Sequence, residues 1–406
     1  MTDELQFRGG RYRQQGTGYR AFVPAPLPPA PLDLSGKLLL TLLEAQDALS
    51  RLDGVTTTLP NADLLTLMYI RSEAVLSSQI EGTQASLDDV LRAEANLQDA
   101  DDPKDVDEVL NYVAALDYGL TRRAELPLSL RLIREIHAQL LQGVRGERRS
   151  PGEFRTSQNW IGSAGATLQT ATFVPPAPPD MLEALDNLEK FIYEDSSDLP
   201  PLLKIALIHA QFETIHPFLD GNGRTGRLLI TLLLCHYGLL AQPLLYLSYY
   251  LKLNRAEYYD RLQAIRDRGD WEGWLLFFLR GVREVATQST EKTRAVLELQ
   301  RRDRERAVSL GAKMAQGLQV LDYLYQYPFI SVRKVEEITQ MSYNSANALV
   351  GRMVDAGLLK TYGNRQRDRQ FVHQDYLDIF HLPEKHAAEL GAPETATLSQ
   401  DAEEEA

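Results

Sequence analysis

The stretch His216-Pro-Phe-Leu-Asp-Gly-Asn-Gly-Arg-Thr-Gly-Arg227 decides the reading of this 406-residue chain. It places a histidine, a carboxylate, an amide, three glycines and two arginines in one segment that runs into the apolar stretch 228–237. Pro217 predicts the end of a helix arriving at His216, which leaves the imidazole at the mouth of a loop. Gly221 and Gly223 permit positive φ and let successive backbone N–H groups face an anion. The next helix aims its positive N-terminus at the same spot. Asp220 suits a magnesium ion that bridges phosphate oxygens. Asn222 can donate to a phosphate oxygen, while Arg224 and Arg227 bring charge to a polyphosphate. His216 adds a base of near-neutral strength for an attacking hydroxyl.

Working outward, composition narrows the class. A formal charge of −13 from 43 basic and 56 acidic residues argues against wholesale nucleic-acid binding. Seven acidic residues and one lysine fall in 384–406, so 383–406 reads as an acidic disordered tail. Cys235 is the sole cysteine, which excludes an internal disulfide and predicts a buried, inert thiol. The polar N-terminus and the absence of any apolar run of spanning length predict a soluble cytoplasmic protein without membrane contact.

Five prolines between Pro24 and Pro31 make residues 1–35 read as an extended arm. Helical periodicity recurs over 38–52, 62–80, 105–119, 129–141, 180–194 and 202–215, with Asp101-Asp-Pro103 as a break. More helix is predicted over 254–268 and from 271 to about 306. Between them, Gln158-Asn-Trp-Ile-Gly162 and Thr170-Ala-Thr-Phe-Val174 suit a β-hairpin. Three short helices at 315–326, 332–341 and 345–356, then strands at 358–362 and 370–372, resemble a winged helix-turn-helix unit over 311–380. The fold class is therefore mainly α.

The motif matches every fixed position of H-P-F-x-D-G-N-G-R-x-x-R, and so resembles the Fic family of protein adenylyltransferases. A second stretch, Ser77-Ser-Gln-Ile-Glu-Gly82, fits that family's inhibitory pattern [S/T]-x-x-x-E-[G/N]. The resemblance implies a Fic-type helical core at 127–285, preceded by a helical region at 36–126 that carries the inhibitory motif. The hairpin at 158–174 would be the flap that clamps a target segment by strand addition. His216 would activate a Tyr, Ser or Thr hydroxyl of a target protein, or of the chain itself, to attack the α-phosphorus of ATP and release diphosphate. The nucleotide would lie among Phe218, Asp220, Gly221, Asn222, Gly223, Arg224 and Arg227, with Asp220 on Mg²⁺ and Arg227 at the γ-phosphate. Gly223 favours AMP transfer, because the related Doc kinases carry lysine there. Tyr259 resembles the position that packs on adenine, and Asn254 and Gln211 are further candidates for nucleotide contact. Glu81, with Ser77 and Gly82 around it, would pair with Arg227 and hold activity low. Removal of AMP is a reverse chemistry that the same resemblance allows.

Two rival readings stand beside this one. His209, Glu213 and His216 fall at i, i+4 and i+7, a spacing that could ligand a transition metal. Alternatively, the C-terminal unit could make the chain a DNA-bound regulator with a vestigial Fic core. Residues 313–380 hold eight basic and seven acidic residues, and only Arg365, Arg367 and Arg369 form a basic cluster, so DNA and protein both remain open as partners. Apolar helices flanking the core are compatible with a homodimer.

Overall fold

A computed structural model describes residues 8–16, 18–56, 62–97, 105–163, 165–194, 199–363 and 369–381. The acidic tail, the break at Asp101-Asp-Pro103, Arg365 and Arg367 lie outside the described residues. The chain opens with two strands, β1 (Gly10–Gln14) and β2 (Arg20–Pro24). Four helices follow: α1 (Gly36–Thr56), α2 (Ala62–Ile80), α3 (Leu87–Glu94) and α4 (Val106–Arg122). Then come α5 (Leu130–Leu140), α6 (Pro178–Tyr193), α7 (Pro201–Ile215), α8 (Asn222–His236), α9 (Ser248–Leu253), α10 (Arg255–Arg268) and α11 (Trp271–Ala307). A 3₁₀ stretch, Val308–Lys313, leads into α12 (Met314–Leu324), β3 (Phe329–Ser331), α13 (Val332–Thr339), α14 (Tyr343–Asp355), β4 (Lys360–Tyr362), β5 (Gln370–Val372) and α15 (Gln374–Phe380).

Helix α7 is the hub. Its residues from Leu202 to Ile215 are all buried, the pattern of a helix surrounded by others rather than one with a wet face. It packs beside α8, equally apolar through Leu228–Cys235. Helix α11, 37 residues or about 55 Å long, lies along α1, whose Leu38, Leu42, Ala45, Leu49 and Leu52 recur on one face. At Gly119 of α4 a Cβ would meet Ile136 at 2.9 Å and Leu232 at 3.1 Å, so this glycine lets three helices close up. Cys235 is buried and its thiol is pushed up to about 11 by desolvation. No helix among the described residues is long and apolar enough to cross a membrane.

The arm expectation needs correction. Strands β1 and β2 pair antiparallel with Tyr12 opposite Phe22. Ala21 and Phe22 are fully buried, and Phe22 N–H donates to Val174 O at 2.9 Å. The prolines that follow carry no helix, as their composition predicts, but the alternation Arg-Tyr-Arg and Ala-Phe-Val upstream of them is a strand signal. The hairpin expected at 158–174 is also reduced: Ile161 and Phe173 exchange both backbone hydrogen bonds, and among the described residues no further pair follows. Local turns intervene, with Ala166 N–H on Ser163 O, Thr170 N–H on Thr167 O, and the Trp160 indole on Ala166 O.

Beyond α11 a second apolar cluster forms from Leu310, Val320, Leu321, Leu324, Val335, Leu349, Met353 and Phe371. Three helices surround it with a sheet in the order β3-β5-β4, a strand more than the sequence suggests. One face of this unit, through Phe329, Val372, Tyr376 and Phe380, joins the main core instead.

Candidate active site

Helix α7 delivers His216 in the left-handed region, at φ 50 and ψ 61, with its N–H on Phe212 O at 2.9 Å. A non-glycine residue resists that conformation, so surrounding contacts must hold it. Arg155 does so. Its Nε donates to His216 O at 2.9 Å, its backbone N–H to Pro217 O at 2.9 Å, and its Nη2 to Pro176 O at 2.6 Å. Asn159 adds donations to His216 O at 3.3 Å and Phe218 O at 2.9 Å. The flap is thereby fastened to the histidine's own carbonyl.

Phe218 is fully buried and stacks on His137, centroids 3.7 Å apart and rings 4° from parallel. Gly152 N–H donates to His137 Nδ1 at 2.8 Å, so the ring proton sits on Nε2, 3.0 Å from Asp220 O. Burial pushes this imidazole down to about 4, which keeps it in that neutral form. Asn222 is held against the turn before α8. Its Oδ1 accepts from Phe218 N–H and its Nδ2 donates to Phe218 O, both at 2.8 Å. It shapes the turn, and the second N–H of its amide remains for a phosphate oxygen.

Gly221, at φ 73, is the N-cap of α8 and offers no side-chain acceptor. The first N–H groups of the helix therefore remain available to an anion. Asp220 Oδ1 accepts from Gly221 N–H at 2.6 Å, and the half-buried carboxylate lies 3.9 Å from Arg224 Nη2. Arg224 is held by Glu108 at 3.0 Å, a buried partner that the sequence did not suggest.

Arg227 is buried, and its donors converge on the end of α2. Nε donates to Ser77 Oγ at 2.9 Å, while Nη2 donates to Ser77 O at 3.0 Å and Glu81 Oε1 at 2.6 Å. Gly82, at φ 97, takes the turn that presents Glu81. Burial opposes ionisation of Glu81, but the Arg227 guanidinium outweighs it and holds the carboxyl below its ordinary value. A Cβ on Gly223 would lie 2.2 Å from Glu81 Oε1 and 2.9 Å from Arg227 Nη1. Desolvation, with Arg155 and Arg266 nearby, pushes His216 down to about 3. Desolvation raises Glu213 to about 7, and its buried Oε1 has no hydrogen-bond partner.

The remaining candidates divide. Tyr259 is 43% exposed beside Arg255, whose guanidinium sits 5.5 Å from the ring. Asn254 donates to Tyr250 O at 3.0 Å, inside its own helix turn. Gln211 donates to Ala25 O at 2.8 Å, so it fastens the N-terminal hairpin. The transition-metal reading fails on His209. Its Nδ1–H is committed to Gly226 O at 3.0 Å and its Nε2 accepts from the Tyr258 hydroxyl at 2.9 Å, which leaves no lone pair for a metal. Among the described residues no three His, Cys, Asp or Glu side chains gather to hold an ion. Asp220 alone fits magnesium in the one way left, as a single carboxylate completed by phosphate and water oxygens.

Residues 39–121 match the family described as Fic/DOC family N-terminal, and residues 127–234 match the Fic/DOC family. The chain is similar to the protein adenylyltransferase Fic of Drosophila virilis, 31% identical over 254 residues, covering 60% of this chain and 47% of that one. It is also similar to the protein adenylyltransferase Fic of Aedes aegypti, 32% identical over 241 residues, 58% of this chain and 44% of that one. The chain thus spans about half the length of the curated relatives it matches. A Fic family protein from Desulfovibrio desulfuricans G20 shares the fold, with a TM-score of 0.55 at 16% identity over 84% of this chain and 97% of that chain.

Proposed function

Since the chain belongs to the Fic/DOC family through residues 39–121 and 127–234, we propose that it transfers AMP from ATP to a hydroxyl side chain of a target protein and restrains itself through Glu81. Two curated relatives that bear the name protein adenylyltransferase support the reaction class. The observation that carries the reading is local: a histidine in the left-handed turn after α7 leads into the N-terminus of α8, where the buried Arg227 is capped by Glu81.

ATP would lay its phosphates over the free N–H groups at the start of α8, with Arg227 toward the γ-phosphate. The target hydroxyl gives its proton to the His216 imidazole as its oxygen bonds to the α-phosphorus. The bond from that phosphorus to the bridging oxygen breaks, and diphosphate leaves. His216 is held neutral by burial, so it can accept a proton, and bound phosphate charge raises its basicity where it is needed. Magnesium on Asp220, when bound, neutralises the leaving diphosphate. Tyr259 suits the adenine ring, and the flap beside Asn159 suits an extended target segment. Gly223 leaves room for this orientation of nucleotide. Glu81 on Arg227 occupies the γ-phosphate direction, which is the basis of the restraint. We place this activity in the cytoplasm and read 311–380 as a winged-helix unit that contacts DNA or protein.

Glu81→Gly should raise self-labelling by α-labelled ATP at least tenfold, about 1.4 kcal/mol of restraint by the usual conversion. Adding His216→Ala should abolish that labelling while ATP still binds. Equal labelling by wild type and Glu81→Gly would remove the restraint, and undiminished labelling without His216 would remove the base.

A further inference from the structure

The segment that presents Glu81 is gripped on both sides by the C-terminal unit. Upstream, Arg71 of α2 is buried. Its Nε lies 2.7 Å from Glu94 Oε2, its Nη1 donates to Gln326 O at 2.7 Å, and its guanidinium sits 5.2 Å from the Tyr327 ring centre. Gln326 and Tyr327 lie just past α12. Tyr69, two residues before Arg71, packs edge-on against Phe380 of α15 at 5.5 Å. Downstream, Arg92 of α3 faces the Tyr362 ring of β4 at 5.6 Å, and Gln370 of β5 donates to Leu97 O at 3.2 Å. His381 Nε2 meets Asp88 Oδ1 at 2.9 Å. Between these two sets of contacts the chain passes Ser77, Glu81 and Gly82 across Arg227.

Arg71 to Ile80 is unbroken helix, which advances about 1.5 Å per residue and moves as a rod. A buried guanidinium is tolerated only while its partners are present. Those of Arg71 are one carboxylate from α3, a carbonyl and a ring from the C-terminal unit, and, more weakly, the Met68 sulfur one turn back on its own helix. The position of α2 and the docking of that unit are therefore linked through Arg71, beside the apolar contact of Tyr69 with Phe380. We propose that the C-terminal unit is a brace that keeps Glu81 on Arg227, with Arg71 as the positioning residue through which it acts. This rests on the reading of Glu81 as the restraint. Whatever draws the C-terminal unit away from α2 and α3 then frees Arg227 for nucleotide, so the unit serves as the regulatory handle of the transferase.

The test uses the full chain in two backgrounds. Arg71→Met should raise self-labelling by α-labelled ATP on the order of tenfold over wild type, the usual size of a coupling between sites. Arg71→Lys, which keeps the charge and loses the fork, should raise it less. His381→Ala changes a surface contact with little risk to folding and should also raise it. None of the three should add to the labelling of Glu81→Gly. A rise of equal size in both backgrounds overturns the brace, as does no rise while Glu81→Gly labels strongly. Hydrogen exchange reads the same link without turnover. The Glu81 and Gly82 amides, bonded to Ser78 O and Gln79 O, should exchange faster in Arg71→Met and His381→Ala. Unchanged exchange overturns the proposal. Faster exchange with no labelling from Glu81→Gly keeps the brace and instead overturns the transfer reaction.

Discussion

Glu213 shows how much a single buried side chain can decide. It sits one helical turn before His216, with Oε1 unpartnered and a Cβ on Gly226 only 2.4 Å away from that oxygen. Desolvation raises it to about 7, opposed by Arg227. The folded state then holds a proton that an unfolded carboxyl, near 4.5, releases. Its contribution to stability is full below that lower value and is lost as pH rises through about 7. Glu213→Gln should therefore flatten the fall in stability between pH 5 and 8, by about 1–3 kcal/mol. Urea unfolding of both proteins at the two pH values checks it, and parallel pH slopes would refute the assignment. The pairing of Glu81 with Arg227 was legible because a motif names both residues. The turn-closing bonds of Asn222 to Phe218 were not legible, because its sequence context is the same whether its amide closes a turn or meets a phosphate. His137, Arg155 and Glu108 carried no signal, since each acts through partners far away in the chain.

At the scale of elements, the flap depends on Arg155 more than on strand pairing. One pair of residues, Ile161 and Phe173, closes the ladder, whereas Arg155 reaches the carbonyls of His216, Ser157 and Pro176. Arg155→Ala should lower AMP transfer by Glu81→Gly on the order of 100-fold, the usual effect of an ångström of misplacement near a reacting group. Nucleotide affinity should stay within about twofold, because the phosphate site at α8 is untouched. Calorimetric titration beside a labelling assay separates the two, and matched losses in both would contradict the argument. The longer helices could be read from periodicity, with observed bounds within a few residues of those expected, whereas the short α9 and α15 hold too few turns to show a period. The N-terminal hairpin escaped because its proline-rich sequel dominated the composition. Its cue is the alternation in Arg-Tyr-Arg and Ala-Phe-Val, and just before β1 the chain runs close to α10, where a Cβ on Gly9 would stand 2.1 Å from Ile265 O.

Across the whole molecule, two apolar clusters share α11, and residues of the C-terminal unit belong to both. At the junction Asp303 accepts from the Tyr325 hydroxyl at 2.6 Å and lies 2.7 Å from His373 Nε2. Such a seam predicts one cooperative transition. Thermal unfolding followed by tryptophan fluorescence, which reports Trp160, Trp271 and Trp274 in the catalytic part, should coincide with far-ultraviolet circular dichroism. Asp303→Asn should lower both midpoints together by several degrees, as about 1–3 kcal/mol at a buried hydrogen bond implies. Separate transitions would show that the units melt independently. The clearance at position 223 reaches furthest. With Glu81 seated, that site has no space for even a methyl group. Two positions far apart along the chain thus form a single lock. A larger residue at 223 would have to push the acid's carboxylate end off the arginine, so filling that space and releasing the restraint are one and the same event.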